Sequence, residues 1–172
     1  MILGIDISTS KIGYAIISDK EELKEYKLLK FKSDMELEKR AKAFEEVILN
    51  LMVMYDIQQI FVEQPFMAFS GGKTTAVTMA KLQRFNGMCC YGLYNVFESS
   101  PTLIAPHQAR KAVGITKKRG EDIKKKVIAK VSEIYPQDFL YEITRHGNPK
   151  PGTDDMADAI IVALAGKRLD NI

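Results

Sequence analysis

Residues 2–7 are apolar at every position but one, Asp6, which predicts a short buried strand. A Ser-Thr-Ser turn leads into residues 11–18, where Ile12, Tyr14, Ile16 and Ile17 predict a second strand. Residues 23–31 are more polar, with Tyr26, Leu28 and Leu29 spaced as in an edge strand. The period then changes. Leu37, Ala41, Phe44, Val47, Ile48 and Leu51 recur at three- and four-residue steps, which predicts an amphipathic helix over 35–55. Residues 57–63 return to a strand with Ile60, Phe61 and Val62 buried. It ends at Gln64-Pro65, because proline has no N–H to give a ladder.

Residues 66–73 hold Gly71-Gly72 and read as a loop. A long helix is expected over 75–97, with Leu82, Phe85, Cys89 and Leu93 on one face. Residues 101–106 suggest a fifth strand, 107–113 a helical turn or short helix, and 114–120 a basic loop with Lys117, Lys118 and Arg119. Helical spacing resumes over 121–135 through Ile123, Val127, Val131 and Ile134. After Gly147, Pro149, Pro151 and Gly152, a last helix starts near Thr153-Asp154-Asp155, side chains suited to a cap and a first turn. Three leading strands followed by alternation imply an α/β protein: a five-stranded mixed sheet flanked by helices.

The 172 residues suit one domain spanning 1–172, and a hydrophobic content of 46% excludes global disorder. The net charge of +3 is too small to indicate nucleic acid by itself. Cys89 and Cys90 are adjacent and form no disulfide framework; they read as two small buried hydrophobes in a reducing compartment. The N-terminus shows neither a basic nor an apolar signal region, and no uncharged run reaches the roughly 20 residues of a membrane span. A soluble, cytoplasmic protein is expected, with no membrane partner.

The positions of the acids change the picture more than any total. Asp6 and Glu63 lie near the ends of apolar strands, where a charge is costly to bury unless it is paired or metal-bound. Asp155 and Asp158 are three apart and share one face of a helix, followed by core-like Ala159, Ile160 and Ala163. Taken singly, Asp6 suits a turn, Glu63 a partner lysine, and Asp154 the helix dipole. Jointly, four acids from three distant segments point to convergence. Oxygen ligands of this kind suit Mg²⁺, with Mn²⁺ as substitute, rather than zinc. Two such ions about 4 Å apart would clamp a phosphodiester, one activating water and the other stabilising the leaving oxygen. His107 and His146 are the sole histidines, and His146, before the last helix, is a lesser candidate to approach the ions.

These residues resemble the RuvC-type Holliday-junction resolvases of the ribonuclease H-like superfamily. The stretch from Gly4 to Tyr14 is similar to that family's first hairpin, and Val62-Glu63-Gln64-Pro65-Phe66-Met67 to the strand with its second acid. Asp155-Met156-Ala157-Asp158-Ala159 is similar to its C-terminal helix, and the stretch from His107 to Gly114, with Lys124, to its basic segment. The resemblance implies catalytic, metal-holding Asp6, Glu63, Asp155 and Asp158, with Lys124 near the scissile phosphate. It implies that Phe66 stacks on an unpaired base, that Arg110 or Lys111 supplies a further cation, and that the protein is a homodimer across the 75–97 helix. Lys117, Lys118 and Arg119 are candidate phosphate contacts. Ser8 departs from the family's usual glycine.

The expected activity is metal-dependent cleavage of branched DNA, four-way junctions first, with forks or flaps as further substrates; a short, divergent chain of this type suits a bacteriophage. A ribonuclease H acting on RNA–DNA hybrids and a non-catalytic branched-DNA module are the alternatives. An actin-like or sugar-kinase-like phosphate binder is disfavoured, since such proteins need two domains of this kind around the nucleotide.

Overall fold

The computed structural model of the chain describes residues 1–65, 75–118 and 120–170. Its strands are β1 (Ile2–Ile7), β2 (Lys11–Ile17), β3 (Leu23–Lys30), β4 (Gln59–Glu63) and β5 (Thr102–Ile104). They form one mixed sheet in the order β3-β2-β1-β4-β5. The first three are antiparallel neighbours, whereas β4 runs parallel to β1 and β5 parallel to β4. The helices are α1 (Leu37–Met54), α2 (Ala76–Phe97), α3 (Pro106–Ala112), α4 (Ile123–Ile134) and α5 (Thr153–Asp170). The elements expected from the sequence are present. The short segment after β5 is a seven-residue helix rather than a lone turn, with Pro106 at its first position, where the missing N–H is not needed.

Strand alternation sorts the core into two layers. Leu3, Ile5 and Ile7 pack with Phe44, Ile48 and Leu51 of α1 and Phe85, Cys89 and Leu93 of α2. On the opposite face Ile2, Ala15, Ile17 and Phe61 pack against α3, α4 and α5. Helix α5 is buried almost all round from Ala159 to Gly166, as expected of a helix that crosses the middle of a sheet. Edge strand β3 instead exposes Lys24, Lys27 and Lys30, charges that discourage pairing with another chain. Burial of the cysteines holds for Cys89 alone. Cys90 is half-buried beside Asn86, one helical turn away. No described helix is long and apolar enough to cross a membrane.

Two contacts fix α5 against the first hairpin. A Cβ at Gly4 would overlap the backbone of Ala159 and Ala163, and one at Gly13 would overlap the carbonyl of Asp155. Glycine at these strand positions lets the helix lie directly on the sheet. The turn between β1 and β2 is tied down from the other layer by Arg40 on α1. Its buried guanidinium donates to the carbonyls of Thr9, Met35 (2.7 Å), Lys32 (2.9 Å) and Ser33 (3.0 Å).

Candidate active site

Parallel pairing of β1 with β4 sets Ile5 opposite Val62, so the next residues, Asp6 and Glu63, are neighbours at the carboxyl ends of adjacent strands. Ile5 and Val62 belong to the α1–α2 layer, so strand alternation turns Asp6 and Glu63 toward α5. Register also places Asp6 opposite Gly13, the residue on which the Asp155 backbone rests. The first turns of α5 thereby deliver Asp155 and Asp158 to the same end of the sheet. Ends of parallel strands are a recurrent location for sites in open α/β sheets.

The electrostatics record this meeting. The Asp6 carboxyl is pushed well above the usual range, first by burial, then by Glu63, Asp158, Asp155 and Asp154. Burial, then Asp158 and Asp155, raise Glu63 to about 8 against the pull of Arg110. Asp158 is raised to about 6 by burial, with Arg110 opposing, and then by Asp154 and Asp155. Among the described residues no hydrogen bond or ion pair reaches the carboxylates of Asp6, Glu63 or Asp158. Three half-buried acids without partners are an expensive arrangement that a cation would relieve.

Two lysines engage the remaining acids. Lys11, at the start of β2, holds Asp155 at 2.5 Å, with side chains 28% and 12% exposed. Lys124, at the start of α4, pairs with Asp154. Burial tends to raise the Asp154 carboxyl, and the Lys124 hydrogen bond and charge outweigh it, leaving the carboxyl lowered. Lys124 is itself raised, first by Asp154 and more weakly by Asp155 and Asp158, so its charge is felt across the cluster. Between the two basic candidates on α3, half-buried Arg110 acts on Glu63 and Asp158, whereas Lys111 is exposed and acts on neither.

The donor set fits a hard divalent ion: carboxylate oxygens, with no thiolate or imidazole acting on Asp6. Among the described residues no three such side chains already stand in a closed ligating arrangement. Asp155 and Asp154 are turned to Lys11 and Lys124 instead. Five carboxylates face three cations, a surplus of two negative charges when all are ionised, which matches one divalent ion.

Lys117 and Lys118 do not act on Asp6, Glu63 or Asp158. Lys117 and Lys118 are exposed on the loop before α4, where Glu121 accepts from the backbone N–H of Lys118 at 2.6 Å and pairs with Lys126 at 2.5 Å. Phe66 and Arg119 lie outside the described residues. His146 is exposed, accepts from Arg145 at 3.0 Å and does not act on the acids, so it is no ligand candidate. Sequence reasoning gave no role to Lys11 and assigned Asp154 to the dipole alone. A lysine opening a strand after a turn gives no sign of a partner 144 residues away.

The family model for crossover junction endodeoxyribonuclease RuvC matches residues 2–166. Among solved structures, the chain is similar to Thermus thermophilus RuvC in complex with Holliday junction substrate. The TM-score is 0.72 at 16% identity, covering 99% of this chain and 94% of that one. A second T. thermophilus RuvC structure matches at TM-score 0.64 and 19% identity, covering 99% and 95%. The yeast mitochondrial Holliday junction resolvase Ydc2 matches at 0.62 and 19%, covering 99% of this chain and 78% of that one. Likeness at these identities speaks for the fold. No curated protein sequence matches the chain.

Proposed function

This chain belongs to the crossover junction endodeoxyribonuclease RuvC family, and we propose that it hydrolyses phosphodiesters at the branch point of four-way DNA junctions. One observation carries the reading. Carboxylates from the first strand, the fourth strand and the last helix act on one another at a single end of the sheet, and among the described residues three of them lack any partner that would justify their burial. A metal-free binding module has no use for such an arrangement. The solved structures of T. thermophilus RuvC with Holliday junction substrate and of the yeast resolvase support the choice of substrate over an RNA–DNA hybrid.

Asp6, Glu63, Asp155 and Asp158 would hold Mg²⁺ or Mn²⁺, two ions per site once the phosphate of DNA adds its own negative charge. Bound there, the metal supplies Lewis-acid stabilisation of the transferring phosphoryl group and a nucleophile at neutral pH. The chain's own residues do the positioning. Parallel pairing fixes the spacing of Asp6 and Glu63, and the α5 backbone seated on Gly13 fixes Asp155 and Asp158 relative to them. Lys124, whose side chain is 69% exposed, is free to swing from Asp154 to a phosphate oxygen of the cut strand. Arg110 contributes a second positive group on the Glu63 side. Lys117, Lys118, Arg119 and the exposed Lys111 would grip the backbone away from the cut, and Phe66 would stack on an unpaired base.

Resolution of a junction requires two symmetric nicks, which suits a homodimer. The outward side of α2 suits the interface. It exposes Val77, Tyr91 and Tyr94, and nothing lies within 4 Å of the position a Gly87 side chain would take. A cleavage panel of four-way, three-way, flap, duplex and hybrid substrates tests the reading. Paired nicks in the four-way junction are expected with Mg²⁺ and none with EDTA. Equal cutting of plain duplex, or preference for the hybrid, would overturn it.

A further inference from the structure

The Lys11–Asp155 pair joins the first hairpin to the catalytic end of α5, and nothing in the acid cluster requires it. Among the described residues, three of the acids stand without partners, yet the fourth is held by an internal ammonium group at 2.5 Å. Both members are largely buried, so solvent screens the pair less than it would a surface ion pair. The pair is not the byproduct of a crowded surface. The Gly13 contact seats the Asp155 backbone on β2, and Lys11 lies two residues before Gly13 on the same strand. Lys11 therefore lies on the same face of β2 as Gly13, within reach of Asp155.

We infer that Lys11 is a built-in counter-ion that competes with the divalent cation for Asp155, offsetting one negative charge of the metal-free site and lowering its affinity for metal. The inference rests on the reading of the acids as a cation site. Lys11 acts through Asp155 and not on the phosphodiester. A cation bound by the same Asp155 oxygen, Oδ2, must displace the ammonium, and one bound at the other oxygen meets its repulsion. The Asp155 side is therefore the weaker side of the site, and Asp6, Glu63 and Asp158 form the stronger one. Removing the positive charge both frees a ligand oxygen and raises the negative surplus of the fully ionised site from two to three.

Two functions for a lysine in this place predict opposite signs. A competitor weakens metal binding. A support that held Asp155 in a ligating pose would strengthen it. Mn²⁺ binding to the DNA-free protein, followed by electron paramagnetic resonance or calorimetry, distinguishes them without any cleavage assay. Lys11→Met is expected to tighten Mn²⁺ binding about fivefold, the scale of a partly buried ion pair. Lys11→Arg keeps the charge and should stay within about twofold of the parent on the same scale. In an Asp155→Asn background, Lys11→Met should lose most of its effect, because the charged carboxylate in dispute is gone. Lys11→Gln serves as a second neutral variant should the methionine fold poorly, with melting temperature in EDTA as the check on folding.

Unchanged or weaker Mn²⁺ binding in the neutral variants would overturn the inference, as would equal tightening in the Asp155→Asn background. Failure of the underlying reading looks different. There the parent protein itself would bind no Mn²⁺, or Asp6→Asn would leave its binding intact.

Discussion

At the scale of single residues, Asp6 and Glu63 show how a sequence position becomes chemistry. Asp6 interrupts an apolar run and Glu63 closes one, and the sheet leaves each beside the other with its carboxyl raised. Asp6→Asn and Asp158→Asn are expected to lower junction cleavage by at least about a thousandfold while sparing junction binding. Gel-shift and cleavage assays on the same preparations check this. The raised values also set a pH dependence in the metal-free state. A carboxyl that binds its proton more tightly when folded contributes stability fully below its unfolded pKa and loses it as pH rises through the folded one. For Glu63 that window runs from 4.5 to about 8. In EDTA, the parent should therefore lose melting temperature between about pH 5 and about pH 8 more steeply than Glu63→Gln does. Parallel slopes would show that Glu63 is not held under this strain. The four acids were legible because charge inside an apolar pattern is conspicuous. The partner of Lys11, and the choice of Arg110 over Lys111, were not. Both depend on which side of an element faces a segment far away in the chain.

At the scale of elements, periodicity carried most of the information. Strand alternation and the three- and four-residue helical steps predicted the sheet and four of the helices, because each element buries one face or, for α5, nearly all of its surface. The short α3 was ambiguous, since seven residues give too few turns for a period to show. What no pattern announced is the close seating of α5 on Gly4 and Gly13, which depends on the absence of a side chain. Gly13→Ala should be destabilising by about 2 kcal/mol, as expected when a packed backbone is forced apart. It should also reduce cleavage by more than the lost folded fraction explains, because the displaced backbone belongs to Asp155. Urea unfolding together with cleavage at saturating junction measures the two effects separately. Normal stability and activity would mean that α5 is free to move without consequence.

At the scale of the molecule, charge is local rather than global. A net +3 conceals an acidic site, an exposed basic loop before α4 and a lysine-bearing edge strand. That loop was legible in the sequence, since its lysines are consecutive. Joint replacement of Lys117 and Lys118 by alanine should reduce the slope of log affinity for a junction against log salt by about 2, close to one for each phosphate that a lysine no longer neutralises. An unchanged slope would separate the loop from DNA. The account as a whole depends on residues from the first strand, the fourth strand and the last helix sharing one ion. Fe²⁺ introduced in place of Mg²⁺, with ascorbate and peroxide, cuts the polypeptide beside the bound ion, and mapping the fragments tests that dependence most directly. Cuts are expected around Asp6, around Glu63 and around Asp155 to Asp158 together, all suppressed by excess Mg²⁺. Cuts confined to one of those segments, or indifferent to Mg²⁺, would contradict that dependence.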